Sequence, residues 1–388
     1  MPRLSRRLPP LGDANALTHR LDALRAAGIE YADLTLSNPT QAAIPYPAGL
    51  LESLSDPRGL IYEPCPFGLA AAREAVAADA RRRGVSIDPS NVVLSASTSE
   101  AYSWLFKLLC NPGDVVLVPR PSYPLFEHLT RFDAVEARPY DLEYHGRWAI
   151  DFASLADAPV TTRAVLAVSP NNPTGSYLSA AEVERLTDLC AARGWVLIVD
   201  EVFAEYALDE AAPTTDIAAR SPVLTFSLGG ASKSLGLPQI KLAWMVVGGP
   251  GDDCRVALAG LELIADTFLS VGTPVQTAIP ALLRDAAPVR RAIHDRVSAN
   301  LQRVREIASA FPACDVLRVE GGWSAVIRVP ATRTEEQLAI DLLDRERVLV
   351  HPGYFFDFPH EAFIVVSLLP PRDILDDAFV RAMRFVNC

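Results

Sequence analysis

Lysine is nearly absent. Of 36 basic residues only Lys107, Lys233 and Lys241 are lysine, so 33 are arginine. Arginine stays protonated and cannot act as a neutral amine nucleophile, which confines side-chain amine chemistry to three positions. Long apolar runs are missing as well. None reaches the roughly 18 residues expected of a membrane span, so no membrane partner is expected. The six cysteines, at 65, 110, 190, 254, 314 and 388, are scattered without a C-x-x-C pair. Neither a disulfide framework nor a zinc site is expected, and a reducing, cytoplasmic location is the default. His351 and His360 show no metal-ligand spacing, and both are read as structural or surface residues. Positive charge is in deficit too: the net charge of −11 argues against a grip on nucleic-acid backbone. Ser5-Arg6-Arg7 has the form of a twin-arginine export signal. Leu8-Pro9-Pro10-Leu11-Gly12-Asp13 supplies no apolar stretch behind it, so export is not expected.

What is present is ordinary globular composition, 50% hydrophobic and 21% charged over 388 residues, with short apolar runs alternating with amphipathic stretches. That alternation predicts an α/β fold with a mostly parallel sheet covered by helices. Strands are expected at Val92–Ser95, Val115–Val118, Ala164–Val168, Val196–Val199, Val223–Ser227 and Leu242–Val247, with a seventh near Ala134–Arg138. Runs as apolar as Trp195-Val-Leu-Ile-Val199 suit a sheet buried on both faces. Helices are expected at Glu100–Leu109, capped by Ser99, and at Ala180–Arg193, opened by a Ser179/Glu182 capping box. A long Arg-rich helix over roughly 275–310 leads to an α+β segment with strands near Cys314–Val319, Ser324–Arg328 and Ile364–Ser367. The reading is a large domain over 46–275 and a smaller one built from both chain ends, 1–45 and 285–388.

Ligands of open parallel sheets bind beyond the carboxyl ends of the strands. Successive strand ends here run into Ser97-Thr98-Ser99, Pro121-Ser122-Tyr123, Ser169-Pro-Asn-Asn172-Pro-Thr-Gly175, Asp200-Glu201 and Gly229-Gly-Ala-Ser232-Lys233. A hydroxyl cluster, an aromatic ring, a carboxamide, a carboxylate and an amine thus converge on one edge.

With these motifs, and with Ser232-Lys-Ser-Leu-Gly236 and Tyr62 ahead of Pro66-Phe-Gly68, the chain resembles the fold-type-I pyridoxal-phosphate enzymes, specifically the class I/II aminotransferases. The resemblance extends from Ser37-Asn38-Pro-Thr40 to His351-Pro-Gly353. It implies an aspartate-aminotransferase-like architecture of a seven-stranded large domain plus a smaller α+β domain, with pyridoxal 5′-phosphate as cofactor. Lys233 matches the Schiff-base lysine, which also shuttles the substrate's α-proton. Asp200 matches the carboxylate that keeps the pyridine nitrogen protonated, Asn172 the amide on the ring's 3-oxygen, and Tyr123 the ring stacked on the cofactor face. Ser97, Thr98, Ser99 and Ser232 match the phosphate site, where a helix N-terminus favours an anion. Lys241 stands where the family usually has a phosphate-binding arginine, as a point charge in place of a fork. Tyr62 resembles the residue that reaches the phosphate from a neighbouring subunit, which implies a homodimer with shared sites. Lys107 is read as a surface cation.

The sequence departs from the family pattern at three places. Phe203 replaces a tyrosine whose hydroxyl would meet the 3-oxygen. With one donor fewer, the lysine–cofactor linkage is expected to hold its proton to higher pH. Gly230 replaces a hydroxyl residue three positions before the lysine. Val365 falls where an arginine usually clamps the substrate carboxylate. Two readings follow: a clamp from elsewhere, with Arg328 and Arg372 as candidates, or a substrate whose carboxylate is held differently or is absent. Asn38, Trp323, Tyr354 and Phe355 complete the substrate-side candidates.

The expected activity is transfer of an amino group between an amino acid, or another amine, and a keto acid. The alternative keeps the cofactor but performs lyase, decarboxylase, oxidase or synthase chemistry. Gly229-Gly-Ala-Ser-Lys-Ser234 does not make a P-loop, which needs glycine immediately before the lysine and another five residues earlier; Ser232 and Ser227 occupy those positions.

Overall fold

In the computed structural model of the chain, residues 4–9, 12, 15–209, 215–360 and 362–387 are described. Pro10, Leu11, Asp13 and Cys388, named above, lie outside them. After β1 (Ala32–Asp33), the apolar runs form β2 (Val92–Ser95), β3 (Val115–Arg120), β4 (Glu136–Tyr144), β5 (Trp148–Ile150), β6 (Thr162–Val168), β7 (Val196–Asp200), β8 (Thr225–Gly230) and β9 (Ala243–Gly248). β2 to β9 make one sheet in the order β2-β9-β8-β7-β6-β3-β4-β5. Its centre, β4-β3-β6-β7-β8, is parallel, whereas β9 is antiparallel to β8 and β2, and β5 to β4.

Both faces are covered, as the continuous apolar strands require. Ile198 packs with Leu166 and Phe226 on one side, and Leu197 and Val199 pack with Val165 on the other. Among the described residues the sheet has eight strands rather than the seven expected. The added strand, β5, is three residues long, too short for an alternating pattern to register. It is held by the turn at Gly146 (φ 84°) and by Trp148, whose ring meets Tyr144 at 5.4 Å and Phe358 at 5.8 Å.

A second sheet forms from β10 (Asp315–Val316), β11 (Ser324–Arg328), β13 (His351–Pro352) and β14 (Phe363–Ser367), ordered β10-β11-β14-β13 and antiparallel throughout. β12 (Val348–Leu349) pairs in parallel with β1. The Ser367 hydroxyl donates to the Leu36 carbonyl at 2.5 Å, so the N-terminal segment is tied to this end of the molecule.

Helix ends follow local chemistry, with two corrections. Ala180–Arg193 has the Ser179/Glu182 capping box and stops at Gly194 in the left-handed region. The helix after β2 starts at Thr98, earlier than expected, so Ser97 rather than Ser99 is its cap and accepts from the Glu100 amide at 3.1 Å. The stretch over 275–310 is two helices, Thr273–Asp285 and Ala287–Ala308. The run breaks at Ala286 (φ −81°, ψ 3°), where Pro288, with no amide to donate and a ring that would meet the carbonyl of the preceding turn, is accommodated in the first turn of a new helix. Among the described residues no single helix is long and apolar enough to cross a membrane. Gly251–Phe268 and Thr273–Asp285 pass that test only jointly, bent by 120°.

Candidate active site

The carboxyl ends of the parallel strands meet the small sheet at a cavity of about 380 Å³. Each strand end delivers one kind of group to it: β2 leads to Ser97, Thr98 and Ser99, β3 to Tyr123, β6 to Asn172, β7 ends on Asp200, and β8 leads to Ser232 and Lys233. Trp323, Phe203 and Val365 line it as well.

Lys233 sits in a single helical turn, Ala231–Ser234, directly after β8. Its amine has no carboxylate or hydrogen-bond acceptor among the described residues. It lies 5.0 Å from the Trp323 ring centre and 5.4 Å from that of Phe203. Burial pulls the amine down from 10.5 to about 8, and the charge of Asp200 only partly opposes this. Asp200 is itself buried, and loss of solvent raises its carboxyl above the ordinary range. Two donors limit that rise: the Tyr102 hydroxyl at 2.7 Å on Oδ2 and the Val202 amide at 3.1 Å on Oδ1. Asn172 Oδ1 accepts from the Ser324 hydroxyl at 3.4 Å, which joins the strand-end loop to the small sheet. The first-turn amides of Thr98 and Ser99 have no intrahelical acceptor, and Ser97 Oγ takes only that of Glu100.

This donor set fits pyridoxal phosphate. A buried, unpaired amine suits an aldehyde, a buried carboxylate suits a protonated pyridine nitrogen, and free amides and hydroxyls at a helix start suit a phosphate.

Other predicted residues lie elsewhere. Lys241 has a left-handed backbone (φ 53°), an exposed side chain and no place in the cavity lining. Lys107 pairs with Asp133 on the surface. Tyr62 is 70% exposed and away from the cavity. Neither candidate clamp is brought in: Arg328 pairs with Asp315 of β10 at 2.7 Å, and Arg372 is exposed at the start of the last helix. Asn38 caps its own turn through Thr40, while Thr35 and Ser37 reach the cavity instead. Tyr354 and Phe355 lie outside the lining, whereas Phe356 and His351 belong to it.

Sequence reasoning missed Tyr102, Tyr206, His351, Ser324 and Ser367. Tyr102 carried a faint signal, one helical turn beyond Thr98 and so aimed back over the strand ends. Tyr206, whose hydroxyl donates to the Lys233 carbonyl at 2.7 Å, carried none.

A family profile described as aminotransferase class I and II matches residues 39–374. The chain is 24% identical over 328 residues to a glutamate-pyruvate aminotransferase of Escherichia coli, covering 82% of this chain and 81% of that one. It is 27% identical over 300 residues to an alanine aminotransferase of Mycobacterium tuberculosis, covering 74% and 69%. The fold superposes on an alanine aminotransferase from Pyrococcus furiosus with a TM-score of 0.89 at 22% identity, covering 99% of both chains. A Thermus thermophilus aspartate aminotransferase gives 0.86 at 23% identity, covering 99% and 100%. The chain therefore belongs to the class I and II aminotransferases, enzymes of the pyridoxal-phosphate fold type I that transfer amino groups with this cofactor.

Proposed function

We propose that Lys233, Asp200, Asn172 and Tyr123 form the catalytic group of this aminotransferase, acting on an α-amino acid or related amine and a keto acid. The observation that carries the reading is the unpaired, buried amine of Lys233 sharing one cavity with the buried carboxylate of Asp200. Bound there, pyridoxal phosphate supplies an electron-withdrawing ring that accepts the electron pair left when the substrate's Cα–H bond breaks. Lys233 would hold the cofactor's aldehyde carbon and would move the proton at Cα. An amine brought near 8 is suited to giving and taking protons around neutral pH. Asp200 would keep the ring nitrogen protonated, Asn172 would orient the 3-oxygen, Tyr123 would stack on the ring, and Ser97, Thr98, Ser99 and Ser232 would bind the phosphate. Phe203 leaves the 3-oxygen one donor short.

Residues 46–275 are assigned to the cofactor domain, and 1–45 with 285–388 to the smaller one; β1 pairing with β12 supports grouping the two chain ends. The protein is assigned as a homodimer with Tyr62 reaching the partner's phosphate site. The consecutive exposed side chains Leu60 (89%), Ile61 (67%) and Tyr62 support this, being costly to leave in water. Free Cys190 and Cys254 support a reducing, cytoplasmic setting.

Borohydride reduction of the purified enzyme followed by peptide mapping tests the reading. Label on Lys233 is expected, and label on no lysine overturns it. Amino donor supplied without acceptor should convert the cofactor stoichiometrically to its amine form; release of ammonia or a cleaved side chain would instead mark lyase-type chemistry.

A further inference from the structure

Among the described residues of this arginine-rich chain, no arginine lines the cavity. Among the described residues, the chargeable nitrogens that line it are Lys233 and His351. His351 opens β13 and pairs directly with Val365 of β14, and Ser324 of β11 pairs with Ser367 of the same strand. Directly opposed residues share a face, as do residues two apart on a strand. His351, Val365, Ser367 and Ser324 thus form one wall, and all four line the cavity. The hydroxyl of Ser367 is committed to the Leu36 carbonyl and that of Ser324 to Asn172. The imidazole makes no hydrogen bond among the described residues. Its ring is braced by Phe355 and Phe356, with centroids 5.7 and 5.6 Å away.

We propose that His351 is a specificity-determining residue that receives the substrate's carboxylate as an imidazolium, so that substrate binding takes up a proton. The proposal rests on the aminotransferase reading, because the carboxylate in question belongs to its amino-acid and keto-acid substrates. A carboxylate brought into this cavity without a cationic partner gives up its hydration uncompensated. With Lys233 holding the cofactor, His351 would be the group in this protomer's described lining left to supply charge.

The charges around the imidazole define its resting state. Asp33 on β1 raises its affinity for a proton, but burial outweighs this and holds it below the ordinary histidine value. Glu335 lies behind the adjoining turn, accepting from the Tyr354 amide, and Lys233 with Asp200 stands across the cavity. β14 carries no titratable side chain. The free enzyme therefore holds a neutral imidazole near neutral pH, and the incoming anion draws in the proton.

Lactate, a substrate-sized carboxylate without an amine, is the probe. It is titrated calorimetrically into the holoenzyme between about pH 6 and about pH 8.5, in buffers of different ionisation enthalpy. The expected result is uptake of close to one proton per lactate and a Kd that rises about tenfold per pH unit above the imidazole's own pKa. His351→Gln should abolish the uptake, flatten the profile and raise KM for the amino acid far more than it lowers kcat. His351→Arg should restore binding with no pH dependence. A pH-independent Kd in the unmodified enzyme, no lactate binding at about pH 6, or an unaltered KM and proton uptake in His351→Gln would each overturn the proposal. If His351→Gln fails to fold, His351→Asn takes its place, and the visible absorbance is followed in the same titration so that any proton taken up by the lysine–cofactor linkage is counted apart from that of the imidazole. Uptake accounted for entirely by the linkage would overturn the proposal. Borohydride labelling of Lys233 does not depend on His351. Loss of label would therefore overturn the aminotransferase reading, whereas label with a flat lactate profile would overturn only this one.

Discussion

Tyr102 donates its hydroxyl hydrogen to Oδ2 of Asp200 across 2.7 Å, and both side chains are buried. The two stand 98 residues apart in sequence, one on the first turns of the helix after β2 and the other at the end of β7. Burial alone pushes the Asp200 carboxyl upward, and this hydrogen bond acts against it. Tyr102→Phe keeps the ring packed against Phe106 and Phe126 but removes the donor. We expect a loss of about 1–2 kcal/mol, read as cofactor binding about 5- to 30-fold weaker in an absorbance titration. The acid limb of cofactor binding should also move to higher pH, since Asp200 then protonates more readily. An unchanged acid limb would show that the hydroxyl does not support the charge on Asp200.

Lys233 should behave as an unusually reactive amine. With its pKa lowered to about 8, roughly a quarter of the molecules are unprotonated at pH 7.5, against about one in a thousand for an ordinary lysine. The rate at which apoenzyme captures the cofactor should rise through a midpoint near 8; a midpoint near 10.5 would refute this. The linked stability effect has a definite sign. Between about 8 and 10.5 the unfolded chain holds more protons at this residue than the folded one, so this lysine makes the apoenzyme more stable as pH rises across that window. Lys233→Met should remove that part of the slope, measured by denaturant unfolding at several pH values.

Phe203 offers no hydrogen bond to the cavity, although its ring lies 5.4 Å from the Lys233 amine. Phe203→Tyr adds a donor where the family often has one. The pH midpoint of the holoenzyme's visible absorbance should fall by about one unit in a spectrophotometric titration.

Gly175 ties the Asn172 loop to the entry of the small sheet. Its carbonyl accepts the amides of Glu320 and Gly321 at 3.2 and 2.9 Å. Its φ is +70°, and a Cβ there would lie 2.6 Å from the Gly321 carbonyl oxygen and 2.7 Å from Val319 Cγ1. Gly175→Ala should cost about 2–4 kcal/mol through backbone strain and overlap. Calorimetry should show a lower Tm, and cofactor affinity should fall with it because Asn172 shifts.

The exposed run Leu60-Ile61-Tyr62 predicts a mass near twice 42.0 kDa in light scattering. Replacing Leu60 and Ile61 together by aspartate should shift the enzyme toward monomer and lower its activity, because Tyr62 would no longer reach a partner. A monomeric native enzyme with full activity would exclude shared sites.

The strand ends and the Ser179 cap were legible because they depend on short-range spacing, whereas the cap of the helix after β2 is Ser97 and not the expected Ser99. An apolar run marks a buried strand, a hydroxyl three residues before a glutamate marks a helix start, and the scarcity of lysine leaves three side-chain amines to choose from, of which the position after β8 points to Lys233. The short β5 and the break at Pro288 were missed because a three-residue strand and a proline at a helix start barely disturb those patterns. Tertiary structure alone decided which side chains from separate segments share a face. It set Tyr102 on Asp200 and turned Arg328 outward to Asp315. It also brought His351 opposite Val365 on the wall of the Lys233 cavity. Such choices depend on strand order and register between distant stretches, where a shift of one residue reverses every side chain, and no local spacing records them.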